Sequence, residues 1–437
     1  MEEVQLGEEE IDKATEVAPA LISVHPFEKS VVVALGSELR VFDLEGDCSI
    51  SLSDDSGGPG HSDSIRAICF DASGRLFASA GDDKLVKIWT TDSWCCIRTV
   101  CADKRVSAVA ISHDGSFVVF ADKFGVVWVV SLDRDGESQA LCAKKPMPIL
   151  GHYCSIITTL KFSPDGRFVA SADRDFKIRV TIFPREPLKG AHEIQSFCLG
   201  HTDFVSCLAF VCPSDYPLGF LLSGSGDSTV RLWDFNSGCL LATCEVGNMA
   251  LESNETDKGN HPAVTDISSS ADGALIVVSI QSFHGVMLLT CNFSAKSLSV
   301  AKVVSMKGSY VPTSLCVSSL AKHLWTVMGA SNQPSSGTTQ LARVRVCSIS
   351  RQDRSPHGHD LFVLEDNDTT GGEKLLSKLQ GSSDVTEIES MLASTTSALN
   401  TAIHNLLTKK QYSSEKREFR KKNRNDRKQK QEPFAFR

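Results

Sequence analysis

The sequence has 437 residues, of which 41% are hydrophobic and 22% charged, and its formal net charge is −8. This composition is ordinary for a folded globular protein and excludes a largely disordered or collagen-like chain. Residues 1–16 contain no basic start followed by an apolar stretch, and no run of about 18 apolar residues occurs. We therefore expect an intracellular protein that does not span a membrane.

The fifteen cysteines are scattered along the chain, and several lie inside apolar, strand-like runs such as Ile68-Cys69-Phe70. This distribution favours buried, reduced thiols over a disulfide framework. His357 and His359 have no further ligands at metal-binding spacing, so we predict no metal site.

Short strand-like segments recur along the chain with a polar, glycine-containing turn, seen at Gly74, Gly115, Gly166 and Gly273. The spacing is close to the roughly 40 to 45 residues of a four-stranded propeller blade. A small antiparallel sheet has two apolar faces that it cannot cover alone, whereas sheets stacked around an axis bury both. The repeat therefore predicts an all-β propeller.

The clearest unit, residues 200–234, contains two strands joined by a tight turn. It resembles a WD40 repeat. The resemblance assigns four residues to that family's structural hydrogen-bond relay: His201, Ser223, Asp227 and Trp233. A weaker copy has His61, Ser79, Asp83 and Trp89 in these positions.

A third copy begins at Gly151-His152 and has Asp175 four residues after Ser171, in the structural turn of the blade. Thr181 stands where the repeat has tryptophan, so this blade departs from the pattern. Degenerate blades are predicted at about residues 20–50, 105–142, 261–303 and 312–364. The total is seven, and we expect Ala20–Val24 to be the strand that closes the ring.

The C-terminal part has a different character. Apolar residues at nearly helical spacing in 388–407, together with Glu373-Lys374-Leu375-Leu376, predict one or two helices. The fold class is thus an all-β, seven-bladed WD40 β-propeller with a helical, basic C-terminal extension. The predicted divisions are a disordered acidic N-terminus at 1–17, the propeller at 18–365, the helical extension at 366–408 and a basic tail at 409–437.

The basic tail contains eleven Lys or Arg and three Asp or Glu between Lys409 and Lys430, so this segment has a formal charge of +8 and the remainder −16. Such a run is typical of contact with nucleic acid, with an acidic protein surface or with a nuclear import receptor. The sequence alone does not decide between these three kinds of contact. We expect the protein to be located in the nucleus. The candidate nucleic-acid-binding residues of the tail are Lys421, Lys422, Arg424, Arg427 and Lys428.

The segment Ala172-Asp173-Arg174-Asp175-Phe176-Lys177-Ile178-Arg179-Val180 distinguishes this propeller from others. Together with Ile194–Val205 and Ala121–Gly125, it is similar to the non-catalytic WD-repeat subunit of the eukaryotic tRNA (guanine-N7)-methyltransferase. The resemblance extends over about residues 20–350 and is sharpest over 105–235.

The resemblance implies a heterodimer in which a separate Rossmann-fold subunit binds S-adenosylmethionine and methylates a guanine in the tRNA variable loop. This chain would stabilise that subunit without catalysing the reaction or binding a cofactor itself. The partner-binding residues carried over by the resemblance are Lys123, Arg174, Asp175, Lys177 and Arg179.

The alternation of side chains along a strand supports part of this assignment. It places Lys177 and Arg179 on one face and Phe176, Ile178 and Val180 on the other. The alternative is an ordinary solvated strand face, on which Lys and Arg are common.

No motif in the sequence indicates catalysis. Gly224-Ser225-Gly226 follows an apolar run but precedes a strand-like segment, whereas a phosphate-binding loop leads into a helix. The alternative function is that of a generic WD-repeat adaptor, such as a ubiquitin-ligase substrate receptor or a ribosome-assembly factor.

Overall fold

The computed structural model describes residues 17–54, 60–132, 145–152, 155–190, 193–247, 261–318, 321–331, 342–351, 359–369, 371–380 and 385–407. Its strands form seven sheets that follow one another along the chain. The four main strands of each sheet pair antiparallel in chain order, which makes each sheet a propeller blade. In the second sheet the short segment Ser53–Asp54 adds a parallel pair with Cys95 and Cys96. The predicted seven-bladed β-propeller with a helical C-terminal extension is confirmed.

The blades are numbered 1 to 7 in chain order. Blade 1 contains β2 (Leu21–Val24), β3 (Ser30–Leu35), β4 (Glu38–Asp43) and β5 (Cys48–Ile50). Blade 2 contains β6 (Ser53–Asp54), β7 (Ile65–Phe70), β8 (Leu76–Gly81), β9 (Leu85–Thr90) and β10 (Cys95–Cys101). Blade 3 contains β11 (Val106–Ile111), β12 (Phe117–Asp122), β13 (Val126–Ser131) and β14 (Met147–Gly151). Blade 4 contains β15 (Ile157–Phe162), β16 (Phe168–Asp173), β17 (Lys177–Ile182) and β18 (Ile194–Leu199).

Blade 5 contains β19 (Val205–Val211), β20 (Phe220–Ser225), β21 (Thr229–Asp234) and β22 (Cys239–Glu245). Blade 6 contains β23 (Val264–Ser269), β24 (Ile276–Ile280), β25 (Gly285–Asn292) and β26 (Ser297–Ser305). Blade 7 contains β1 (Ala18–Pro19), β27 (Ser314–Val317), β28 (His323–Ser331), β29 (Ala342–Arg351) and β30 (His359–Val363). The outer strand of blade 3 lies beyond the predicted end of that blade at residue 142.

The apolar cores lie between neighbouring blades. Between blades 4 and 5, for example, Ile178 and Val180 pack in one cluster with Leu221 and Trp233, and all four side chains are fully buried. Full burial of an apolar side chain contributes roughly 1.5 to 3 kcal/mol. Because each blade is covered on both faces by its neighbours, the stability of one blade depends on the presence of the next.

Hydroxyl groups also join the inner strands of successive blades. In blades 3, 4 and 5 the inner strand has an irregular register after its first residue. The residues at this irregularity are Ser107, Thr158 and Ser206. Their hydroxyls donate to the backbone carbonyl of the first residue of the next inner strand, at 2.7, 2.5 and 2.6 Å. Each bulge therefore turns a polar side chain into a link between blades.

The ring closes differently from the sequence prediction. Ala20–Val24 was expected to be the closing strand, but its strand residues form β2, the inner strand of blade 1 itself. Closure uses the two residues of β1, which pair antiparallel with β28 of blade 7. The Thr313 hydroxyl adds a bond to the Ala20 carbonyl at 2.8 Å. The C-terminal part of the chain thus builds the four main strands of blade 7 alone.

The relay residues of blade 5 lie in hydrogen-bond contact. The two ring nitrogens of His201 lie 2.9 Å from the Asp227 carboxylate and 2.7 Å from the Ser223 hydroxyl, to which Trp233 Nε1 donates at 2.8 Å. Burial lowers the pKa of His201 despite the opposing effect of Asp227, so the ring is neutral near pH 7. The corresponding distances in blade 2 are 2.8, 2.8 and 3.0 Å, for His61, Asp83, Ser79 and Trp89.

In blade 4 the relay carboxylate belongs to Asp173, not to the Asp175 that the four-residue spacing predicts. The His152 nitrogens lie 2.8 Å from Asp173 and 2.8 Å from the Ser171 hydroxyl. Asp173 ends the second strand of its blade, where blades 2 and 5 have Gly81 and Ser225. The carboxylate at the strand end, that of Asp173, therefore forms the hydrogen bond with His152, and Asp175 lies in the turn outside the relay.

The C-terminal extension forms two helices, α1 (Gly372–Gln380) and α2 (Val385–Leu406). Leu375, Leu376 and Leu379 of α1 are buried in a cluster with residues of blades 1 and 7. The Leu379 carbonyl accepts a bond from Arg40 of blade 1 at 3.1 Å. The first helix therefore braces the two blades that meet at the closure, while α2 lies over one end of the ring.

The thirteen cysteines in the described part of the chain are free thiols. Seven of them are buried as the sequence predicts, whereas Cys48, Cys101 and Cys239 are exposed. None of the described helices is long and apolar enough to cross a membrane.

We predict that Asp173→Ala lowers the free energy of unfolding by about 1 to 3 kcal/mol, because the buried His152 ring loses a hydrogen-bond partner. Asp175→Ala, two residues away, is the matched control and should have a much smaller effect. Chemical denaturation of the purified chain measures both. Equal losses for the two variants would return Asp175 to the relay.

Candidate partner-binding surface on blade 4

The third strand of blade 4 has two distinct faces. Ile178 and Val180 are fully buried against blade 5. Lys177 is exposed and Arg179 half-buried on the opposite face, as strand alternation requires. Phe176 does not belong to the strand: it is half-buried in the preceding turn with a φ of 71°. The sequence interpretation of that residue as part of the apolar strand face is wrong.

Arg179 is held in place by its own blade and by the last strand of blade 3. Its Nη1 donates to the Gly151 carbonyl at 2.9 Å. Its guanidinium also lies 5.4 Å from the ring centre of Phe197, the residue that faces it across the sheet. Burial lowers the pKa of Arg179, against the opposing charge of Asp173. The side chain is thus a fixed cation, already oriented before any partner binds.

Two large apolar side chains lie exposed beside these cations. Phe197 is 41% and Leu199 59% exposed, and they pair across the strands with Arg179 and Lys177, respectively. We call these four residues the blade-4 surface. Exposed aromatic and aliphatic groups next to an arginine are the combination that carries binding energy in protein interfaces.

Sequence reasoning missed the apolar half of this surface. The signal was present, since the segment Ile194–Leu199 alternates around the buried Cys198. Alternation alone does not reveal which blade covers an outward-facing side chain, and no described part of the chain covers Phe197 or Leu199 completely.

A comparison of blades 2, 4 and 5 shows which cation on the third strand of blade 4 is shared with other blades and which is not. Arg179 pairs with Ser171 as Lys87 pairs with Ser79 and Arg231 with Ser223, so a cation at this site belongs to the repeat. Lys177 is different, because its counterparts in blades 2 and 5 are Leu85 and Thr229. The exposed lysine is thus a particular property of blade 4.

Thr181 occupies the position of the relay tryptophan, and the chain fills the space differently. Phe183, just after the strand, packs edge to face on Phe162 at 5.0 Å and on Phe117 at 5.9 Å. Leu188, in a short 3-10 turn, joins the same cluster between blades 3 and 4. The insertion before β18 therefore replaces the missing indole.

Buried polar atoms without a hydrogen-bond partner gather in this blade. Among the described residues, such side-chain atoms include Ser155 Oγ, Arg174 Nε, Arg179 Nε and Thr181 Oγ1. Buried polar groups are normally paired, and those that are not call for a specific explanation. Both guanidinium groups are held through their other nitrogens, since Arg174 Nη1 donates to the Leu406 carbonyl and Arg179 Nη1 to the Gly151 carbonyl.

The five residues carried over by the resemblance fall into two groups. Lys177 and Arg179 lie on the blade-4 surface. Arg174 and Asp175 lie in the turn before β17, and Lys123 lies in the corresponding turn of blade 3. These turns belong to the end of the ring formed by the connections between second and third strands, which we call the top face.

Lys123 and Arg174 are directed toward the C-terminal helix. Lys123 lines a cavity that α2 covers, and Arg174 Nη1 lies 3.4 Å from the Leu406 carbonyl at the end of α2. The structure thus brings Lys177 and Arg179 together as predicted but places Lys123 and Arg174 by the helix.

Other candidate sites add little. The described residues include no group of three or more His, Cys, Asp or Glu placed to hold a metal ion. His357 and the tail residues Lys421, Lys422, Arg424, Arg427 and Lys428 lie outside the described part of the chain. Gly224 and Ser225 end β20, and Gly226 begins the hairpin turn to β21, so no helix follows them.

Residues 134–348 match the family model described as the tRNA methyltransferase TRM82 WD40 domain, and residues 48–90 match the WD domain, G-beta repeat. The tRNA (guanine-N(7)-)-methyltransferase non-catalytic subunit of Xenopus laevis is 32% identical over 329 residues, which cover 73% of this chain and 77% of that protein. The subunit of the same name from Danio rerio is 37% identical over 238 residues, covering 54% of this chain and 53% of that one. The chain spans about half the length of the first relatives it matches.

Solved structures show the same architecture. U3-55K superimposes with a TM-score of 0.57 at 18% identity, covering 71% of this chain and 88% of that one. The WD40 repeats of RRP9 give a TM-score of 0.57 at 18% identity, with 71% and 87% covered. At this identity the likeness shows the fold alone.

Proposed function

Because this chain belongs to the family of WD-repeat non-catalytic subunits of tRNA (guanine-N(7)-)-methyltransferases, we propose that it binds a separate catalytic subunit and stabilises its active shape. That subunit binds S-adenosylmethionine and methylates a guanine in the tRNA variable loop. This chain needs no cofactor, and its contribution is a rigid docking surface.

The observation that carries the proposal is the blade-4 surface, which lies inside the segment matched by the family model. It combines Lys177, which the other compared blades lack, with Arg179, which is already oriented. The exposed apolar side chains of Phe197 and Leu199 lie beside them on the adjacent strand. Apolar contacts supply affinity at such a surface, while the cations select a partner with carboxylates and fix its orientation. The alternative of a generic adaptor has no observation of its own in its favour.

Reconstitution tests the non-catalytic role. We expect the purified chain alone to transfer no methyl group from S-adenosylmethionine to tRNA. Co-expression with the catalytic subunit should yield a stable complex that methylates guanine N7. Transfer of labelled methyl groups measures both. Activity in the chain alone, or full activity of the catalytic subunit without it, would contradict the proposal.

The blade-4 surface has its own test, the double variant Lys177→Glu with Leu199→Glu. Both side chains are exposed, so the thermal transition of the chain should stay unchanged. Binding of the catalytic subunit should fall at least a hundredfold, because like charges replace complementary ones and an apolar contact is lost.

The matched control is Lys322→Glu with Leu240→Glu, which makes the same change in charge at exposed sites on blades 7 and 5. It should bind like the unaltered chain. Calorimetric titration with the catalytic subunit decides between them, and equal affinity of the two double variants would remove blade 4 from the interface.

We further propose that the basic tail contacts tRNA phosphates within the complex and that the protein works in the nucleus. The support is the density of positive charge between Lys409 and Lys430. Cations that contact phosphates add affinity that depends on salt but do not read bases.

Deletion of residues 409–437 should weaken tRNA binding by the complex and reduce the slope of log affinity against log salt. Filter binding at several salt concentrations measures both quantities. An unchanged slope combined with loss of nuclear accumulation would make the tail an import signal instead.

A further inference from the structure

The second C-terminal helix crosses the top face from blade 7 to blade 4. Near its start, the Glu389 carboxylate accepts the backbone N–H of Ser309, before the inner strand of blade 7, at 3.1 Å. Asn400 then donates to the hydroxyl of Ser282, in a turn of blade 6, at 2.8 Å. At its end, the Leu406 carbonyl faces Arg174 of blade 4. The 22 residues of α2 span about 33 Å along the helix axis.

The apolar contacts of α2 are few. Among its described side chains, only Leu392, Thr395 and Leu399 are buried, with 4%, 2% and 8% exposed. Toward its C-terminus, Ile403 and Leu406 line a mainly apolar cavity of about 250 Å³ between the helix and the ring. Leu392 and Leu399 therefore hold the helix on the ring, and the contact of the Leu406 carbonyl with Arg174 sets where it ends.

The position of the end of this helix matters because of the sequence that follows. The segment of eleven cations begins at Lys409, three residues after Leu406. The last described turn of α2, from which this segment continues, lies close to Arg174 of blade 4, the blade that carries the candidate docking surface. Without α2 on the top face, the segment would be connected to the ring only through α1, which ends at Gln380 against Val344 of blade 7.

From this arrangement we propose that α2 is a strap that fixes the origin of the basic tail beside blade 4, where the tail reaches RNA held by the docked partner. The inference rests on the proposed function. It gives α2 a role in the binding of tRNA and none in the affinity for the catalytic subunit. A tether that starts beside its target raises the effective concentration of the tail there without adding a new contact.

The strap is tested in the reconstituted complex with Leu392→Glu and Leu399→Glu, which place charges on the buried side of α2. Ala393→Glu with Ser397→Glu adds the same charges on its exposed side and is the matched control. The first variant should lower tRNA affinity roughly three- to tenfold, while the affinity for the catalytic subunit stays unchanged. The control should bind tRNA like the unaltered complex.

A double-mutant cycle separates positioning from direct contact. When residues 409–437 are deleted, the buried-side charges should have no further effect on tRNA affinity. An equal loss with and without the tail would overturn the proposal, as would unchanged affinity in the intact complex. Failure to form a complex with the catalytic subunit would instead contradict the proposed function.

A second variant leaves the helix untouched in case the first one does not fold. Insertion of a twenty-residue Gly-Ser linker between Leu407 and Thr408 should also weaken tRNA binding, since effective concentration falls with linker length. Unchanged affinity of this variant would show that the origin of the tail is irrelevant, and the strap would be rejected.

Discussion

The contact between neighbouring blades is the interaction on which the whole structure depends. Each blade is too small to bury its own apolar faces, so side chains such as Val180 and Leu221 become fully buried only when two blades meet. The hydroxyls of Ser107, Thr158 and Ser206 add a hydrogen bond across three of these junctions. Because these contacts do not involve the relay, blades without a tryptophan relay can still complete the ring.

Blade 4 shows how a repeat can acquire a particular surface without losing this support. Thr181 removes the tryptophan, but Phe183 and Leu188 restore the packing against blade 3. His152 keeps its acidic partner through Asp173. The inner part of the blade thus remains that of a stable repeat, while its outer strands present Lys177 and Leu199 to a partner.

The sequence was informative where the determinants are local. Tight turns, alternating strands and the spacing of His201, Ser223 and Trp233 predicted the blades, because each lies within one repeat. It was less informative where distant segments meet. The pairing of β1 with β28 spans most of the chain, and the exposure of Phe197 depends on which blade fails to cover it.

The choice between Asp173 and Asp175 shows a related limit. Both carboxylates lie near the same turn, and a spacing rule taken from blades with Gly81 or Ser225 at the strand end selects the wrong one. The position of α2 could not be predicted either, because the spacing of apolar residues predicts a helix but not the surface on which it packs.

The replacement of tryptophan by Thr181 also bears on how freely the blades can be exchanged. A ring built from equivalent modules tolerates the transplantation of one unit into the place of another, provided that the donor brings the same faces. Blade 5 could take the place of blade 4 in this geometric sense, but it would bring a buried indole and Thr229 instead of a cavity-filling insertion and Lys177. The blades are therefore no longer interchangeable. The position of each blade in the ring determines which side chains that part of the surface exposes, even though all blades share one fold.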